Sequence, residues 1–266
     1  MQKDKFYKPQ SFPIDPREFD PYRGTRVFSD FFQLEDWTGY NTTTSPTDGI
    51  APTAASTFDY TDSRGVVAGV GSVQLASAKD NGAKSEIRDR TSNSVNPGIM
   101  FGKSEMDFVA RCKWSTSAAE QTFRVGFYDD VADLSGANES RYGLYFFVKN
   151  AISSTNLYLG IFNDWTGTAS ATSYKFVKDT GILLESYRTL GIFVNKDATD
   201  VVFTIDGVVV HRQSNDIPNY LRGSWVGTAS RRLQCGIALQ ATGTTSTAST
   251  AYVDYMQFRH FTDRNI

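Results

Sequence analysis

The sequence predicts an all-β protein: a two-sheet antiparallel β-sandwich preceded by an extended arm rich in proline and aromatic residues. Three observations carry that prediction. Apolar side chains recur at every second position through most of the chain, a tight-hairpin signal stands at Asp206-Gly207, and no sustained apolar repeat of helical period occurs anywhere.

The clearest stretch runs from Leu190 to His211. Leu190, Ile192 and Val194 share one parity, as do Val201, Phe203 and Ile205, so each run offers one apolar face to a core. Between the second and third strands of this stretch, Asp206-Gly207 supplies the two positive-φ positions that a type I′ turn needs.

Further strands are expected over Gly65 to Ala76, Ser85 to Asp89, Ile99 to Lys103, Met106 to Trp114, Gln121 to Asp129, Arg141 to Lys149, Asn156 to Asn163 and Ser173 to Val177. Leu233 to Ala241 and Tyr252 to Phe261 close the series, and short strands in steady succession point to a sandwich. Gly181 to Tyr187 and Ile217 to Leu221 are the places where a turn or two of helix is expected. Asn41 to Thr57 and Ala241 to Thr250 read as loops of small and polar residues.

Residues 1 to 25 differ from the rest. Pro9, Pro13, Pro16 and Pro21 interleave with Phe6, Tyr7, Phe12, Ile14, Phe19 and Tyr22. Proline denies this stretch a helix or an interior strand, and its aromatic density calls for a surface to cover it. The reading is a docking arm, set against its own sandwich, a sister subunit or another protein, followed by one sandwich domain over residues 26 to 266. Arg26 to Phe32 opens that domain.

Composition narrows the function. Hydrophobic residues at 40% supply a packed core, which excludes wholesale disorder. With 27 Lys and Arg against 29 Asp and Glu and no basic cluster, no nucleic-acid partner is expected. The N-terminus lacks the apolar core of a signal peptide, and no run of about 18 apolar residues exists, so synthesis in a cytoplasm without membrane insertion is expected. Cys112 and Cys235 each fall on the apolar parity of a strand, as two buried free thiols or as one bridge.

Two motifs invite an enzymatic reading. Glu105-Met106-Asp107 begins like the carboxylate strand of the glucanases on lectin-like sandwiches, but Val109 and Ala110 stand where the second carboxylate belongs. Lys84-Ser85-Glu86-Ile87-Arg88-Asp89 faintly resembles the Arg-Ser-Glu-Leu-Arg strand of alginate lyases, yet neither His211 nor His260 has the setting those enzymes need. Glu86, Arg88 and Asp89 therefore read as an exposed ladder of charge. The chain is expected not to be an enzyme, and no catalytic residue is assigned.

Binding candidates remain. Trp165 and Trp225 lie in glycine-bearing loops and are the carbohydrate-stacking candidates, while Trp37 and Trp114 read as core. The loop from Asp129 to Glu139 offers Asp129, Asp130 and Asp133 as ligands for Ca²⁺, against the alternative of a solvated connection; no other cofactor is implied.

Met106 to Tyr128, Tyr187 to Pro218 with its Phe-Thr-Ile-Asp-Gly hairpin and Asp216-Ile217-Pro218, and Ala251 to Phe258 together carry a resemblance. The chain resembles concanavalin A-like jelly-roll proteins of tailed bacteriophage virions, found as capsid decorations, head fibres or tail-associated proteins. The resemblance implies a non-enzymatic structural protein located on the virion, displayed as a homo-oligomer, most simply a trimer, and attached to other virion proteins through residues 1 to 25. The alternative is a lectin-like module that holds host surface polysaccharide.

Overall fold

A computed structural model describes residues 24–29, 37–42, 53–54, 73–76, 84–89, 99, 101–102, 104–115, 121–129, 142–149, 156–163, 174–218, 233–241 and 250–261. All regular structure among them is strand. In chain order the strands are β1 (Gly24–Ser29), β2 (Trp37–Thr42), β3 (Thr53–Ala54), β4 (Val73–Ala76), β5 (Lys84–Asp89), β6 (Glu105–Ser115), β7 (Gln121–Asp129) and β8 (Gly143–Lys149). They continue as β9 (Asn156–Asn163), β10 (Tyr174–Leu183), β11 (Arg188–Val194), β12 (Asp200–Ile205), β13 (Val208–Ser214), β14 (Leu233–Ala241) and β15 (Thr250–Phe261).

Two antiparallel sheets result. An eight-stranded sheet runs β13-β12-β11-β6-β15-β4-β3 with β1 also on β15, and a seven-stranded sheet runs β10-β9-β8-β7-β14-β5-β2. The fold is a jelly-roll sandwich, as the alternation requires: apolar residues of one parity from each sheet meet in a single core.

That core is aromatic at its centre. Phe127 of β7 touches Phe101, Phe108 of β6 and Phe258 of β15 edge to face, at ring separations of 5.2, 5.9 and 6.1 Å. Trp114, expected in the core, is fully buried and stacks on Phe123 at 6.3 Å. Cys112 and Cys235 are free thiols on the core faces of opposite sheets, and burial pushes the Cys112 thiol far above its ordinary range.

The hairpin at Asp206-Gly207 forms as read, with φ of +50° and +79° at its two central residues. Asp206 is also an anchor: its carboxylate accepts from Arg188 at 2.8 Å and from the Thr189 N–H at 2.9 Å. Gly207→Ala is expected to cost about 1–2 kcal/mol, since a Cβ disfavours that left-handed position. A fall in the urea midpoint at unchanged m-value checks it.

The structure departs from the reading at several places. No helix occurs over residues 181–187; β10 instead runs six residues past the expected strand end at Val177, to Leu183. A bulge between Asp179 and Ile182 carries it, with Gly181 at φ +67° and the Thr180 hydroxyl donating to the Leu157 carbonyl. Residues 217 and 218 are likewise non-helical. Within the strand expected over Ile99 to Lys103, the described residues form none: Ile99 makes a lone bridge to Leu233, and residues 101–102 are a turn. Short strands β2 and β3 enter the stretch read as loop.

The largest correction concerns Glu86. It is not part of an exposed ladder: it is 0% exposed. Alternation correctly sets Glu86 opposite core-facing Ile87, but the face on which it lies is itself buried.

Candidate functional site

The seven-stranded sheet has two apolar faces. Phe123, Val125 and Phe127 of β7, Leu144, Phe146 and Val148 of β8, and Leu157, Leu159 and Ile161 of β9 enter the sandwich core. The intervening positions, Tyr128, Tyr145, Phe147, Tyr158 and Phe162, form a second buried cluster with Ala238 of β14, on the face turned away from the core. Such two-sided burial is unusual for a sandwich sheet, whose second face is commonly solvated.

Strand register places polar groups among these rings. Glu86, Ala238, Arg124, Phe147 and Tyr158 stand side by side across β5, β14, β7, β8 and β9. In the next row Gly236, Gly126, Tyr145 and Gly160 follow one another. The glycines let rings lie against the sheet: a Cβ on Gly160 would fall 2.3 Å from the Phe162 ring. Phe162 in turn stacks on Tyr145 at 4.9 Å with planes 10° apart.

The polar contacts are specific. Tyr128 donates its hydroxyl to Glu86 Oε1 at 2.9 Å. The Arg124 guanidinium lies 4.6 Å from the Tyr145 ring centroid and 5.3 Å from that of Tyr128, a desolvated double cation–π arrangement of the kind that contributes about 2 kcal/mol or more. Gln240 of β14 is 1% exposed, and neither its Oε1 nor its Nε2 has a hydrogen-bond partner. Leaving buried amide atoms unpaired costs about 1–3 kcal/mol per group, so this side chain is held against its own interest.

This constellation is one that sequence reading missed. Its signal was present: in β8 and β9 both parities carry large apolar or aromatic residues, which marks a sheet buried on both faces. Polar residues embedded in such strands are then the buried ones.

The residues singled out from sequence fare differently. Trp165, Trp225, Asp130, Asp133 and the arm residues Phe6, Tyr7, Phe12, Ile14, Phe19 and Tyr22 lie outside the described residues, as do the side chains of Trp37, Arg88, Asp89 and Asp129. Among the described residues no group of three His, Cys, Asp or Glu side chains could hold a metal ion. Glu105 and Asp107 are on β6, in the other sheet. Asp107 is buried and accepts from Arg259 Nε with both oxygens, at 2.9 and 2.8 Å, so its charge is absorbed by an ion pair. His260 is hydrogen-bonded to buried Ser104, and burial lowers the pKa of its imidazole.

No family model matches the chain, and no curated protein matches it in sequence. Solved structures do resemble it. A protein of unknown function from Shewanella oneidensis MR-1 superposes with a TM-score of 0.54 over 90% of this chain and 87% of its own, at 11% identity. A chain solved among the endo-acting O-glycanases that prominent members of the human gut microbiota express to initiate mucin breakdown gives 0.51 over 87% of this chain and 97% of its own, at 9% identity. An alginate lyase of polysaccharide lyase family 7 gives 0.47 over 72% and 81%, at 14% identity.

The two likenesses with a TM-score above 0.5 agree with the concanavalin A-like jelly-roll fold, which this chain shares with a chain solved among O-glycanases. They also correct the expectation that the chain is not an enzyme. That expectation leaned on a scaffold read as structural and on missing motifs in β5 and β6, whereas the same scaffold serves a chain solved among O-glycanases. Here it buries a carboxylate, a phenol and a guanidinium together on one face.

Proposed function

We propose that this protein binds a carbohydrate on the outer face of its seven-stranded sheet, with Arg124, Glu86, Tyr128 and Gln240 as polar contacts and Tyr158 as a stacking surface. The observation that carries this reading is Gln240. Its buried amide offers one acceptor and two donors with no protein partner, and a ligand rich in hydroxyls, each both donor and acceptor, is the chemistry that satisfies both ends at once. Aromatic rings on the same face match the apolar faces of sugar rings.

Gln240→Met tests it without removing volume. Full-length protein and variant are screened on an array of plant, algal, animal and bacterial glycans, with and without Ca²⁺. The variant is expected to keep or slightly raise its Tm, because an unsatisfied amide is gone, and to lose about tenfold or more in affinity for whatever the parent binds. Binding that is unchanged in the variant, or absent from the parent, counts against the reading.

A second reading, cleavage of the bound glycan, is favoured by the Tyr128–Glu86 hydrogen bond, which pairs a phenol with a buried carboxylate on the binding face. Reducing-end and unsaturated-product assays on the array hits check it, with Tyr128→Phe as the control that must abolish turnover. The virion placement implied by resemblance depends on residues 1 to 25, and the glycan reading is built without them.

A further inference from the structure

The two sheets are joined along one side by their edge strands. β10 is the edge of the seven-stranded sheet and β13 that of the eight-stranded sheet. Three side-chain contacts stitch them: Lys178 Nζ donates to the Val210 carbonyl at 2.8 Å, Gln213 Nε2 donates to the Tyr174 hydroxyl at 2.9 Å, and the His211 imidazole lies on the Phe176 ring at 4.6 Å with planes 14° apart. A seam of three side-chain contacts is weak beside the backbone ladder that ties β10 to β9, so the junction between β10 and β13 is a natural place for local opening.

We propose that this seam is an acid-released latch in which protonation of His211 frees β10 from β13 and loosens the strand that borders the aromatic face.

Position explains the second half. Val177 of β10 packs against the outer-face cluster of Tyr128, Tyr145, Phe147, Tyr158 and Phe162, while Tyr174, Phe176 and Ile182 of the same strand pack on the core. One strand thus borders the aromatic face through Val177 and also holds the seam. The rings of that face are almost completely buried, so a ligand reaches them only if chain beside them moves. This consequence for ligand entry rests on the carbohydrate reading; the latch itself does not.

Charge explains the first half. Lys178 faces His211 from β10, and its ammonium is already tied to the carbonyl of the preceding residue, Val210. From β12 the imidazole meets the uncharged ring of Phe203 at 6.3 Å. On its own hairpin, Gln213 Oε1 lies 3.4 Å from Nε2, and Arg212 is paired with Asp200, which also accepts from Ser214. Across the seam Asp179 accepts from Asn156 and the Gly181 N–H. The described carboxylates near the seam are therefore engaged elsewhere. An imidazolium would gain from the Phe176 ring face but would lose hydration and confront Lys178.

Burial lowers the His211 pKa below its ordinary 6.5; the hydrogen bond to Gln213 opposes it, and the smaller repulsion from Lys178 adds to the lowering. A depressed base binds fewer protons in the closed state than in the open one, so opening is favoured as pH falls below 6.5 and levels off below the depressed value.

Hydrogen exchange on the full-length protein at pH 7.5 and 5.5, corrected for intrinsic rates, reads the latch directly. Protection of residues 174–183 and 208–214 is expected to fall at the lower pH, by at most about tenfold, the ceiling that one imidazole of ordinary pKa 6.5 in the open state sets over this interval, while β7 and β8 hold theirs. His211→Gln should remove the pH effect, and His260→Gln should leave it. Uniform loss across both sheets, no loss in β10, or a loss that persists in His211→Gln overturns the proposal. Should His211→Gln fail to fold, Lys178→Met provides the second test: with the repulsion relieved, the pH-dependent loss must shrink. Because no glycan is present in these measurements, failure of the carbohydrate reading leaves their outcome unchanged.

Discussion

Phe127→Ala is expected to lower the unfolding free energy by about 3–5 kcal/mol, among the largest losses of any single truncation in this sandwich. Phe127 is fully buried and is the ring on which both sheets converge: it contacts Phe101, Phe108 and Phe258 within 6.1 Å. Truncation removes the transfer energy of the ring and about three edge-to-face contacts, each contributing roughly 0.5–1.5 kcal/mol beyond area. The neighbours belong to β6, β15 and the turn at residues 101–102, whose backbones are fixed by their own ladders, so the cavity cannot collapse cheaply. At roughly 2–4 °C per kcal/mol for a domain of this class, the Tm should fall by about 10 °C. A loss under about 1 kcal/mol would mean that the two sheets do not meet at this ring.

Gly126→Ala, one residue earlier on the same strand, should destabilise by about 2–5 kcal/mol through strain and overpacking. Gly126 has φ of +139°, a conformation that L side chains rarely adopt. A Cβ there would fall 2.6 Å from the Leu144 carbonyl oxygen, 2.9 Å from the Tyr145 Cα and 2.6 Å from the Ile192 Cδ1. The first two are backbone atoms of the paired strand β8 and cannot rotate aside. Since Gly126 pairs with Tyr145, whatever relaxation accommodates the methyl must disturb the ring that carries Arg124. Glycan affinity measured below the lowered Tm should therefore fall along with stability. An unchanged melting temperature would show that β7 and β8 pair in a different register.

Arg124 and Glu86 illustrate where sequence reading stops. The alternation of β7 assigns Arg124 to the face opposite Phe123 and Val125, and that of β5 assigns Glu86 to the face opposite Ile87; both assignments hold. For Glu86, reading that opposite face as solvent was the error, because a charged residue on the polar parity of a strand is ordinarily exposed. The aromatic parity of β8 and β9 contradicted it, but only once β5, β14, β7, β8 and β9 are known to be neighbours does Glu86 fall in one row with Arg124 and Tyr158. β5 and β14 are separated by well over a hundred residues in sequence, and pairing between distant strands leaves no local trace.

Local physics therefore determined much by itself. Period-two alternation specified a sandwich and the core identities of Phe127, Trp114, Cys112 and Cys235, and Asp206-Gly207 specified its hairpin, because turn geometry and strand parity depend only on adjacent residues. Tertiary structure alone decided that the second face of one sheet is buried, that Gln240 has no partner there, and that His211 meets Phe176 and Lys178 across a seam. Those contacts bring together residues from separate strands and separate sheets, so they are set by strand order and packing, which short-range pattern does not encode.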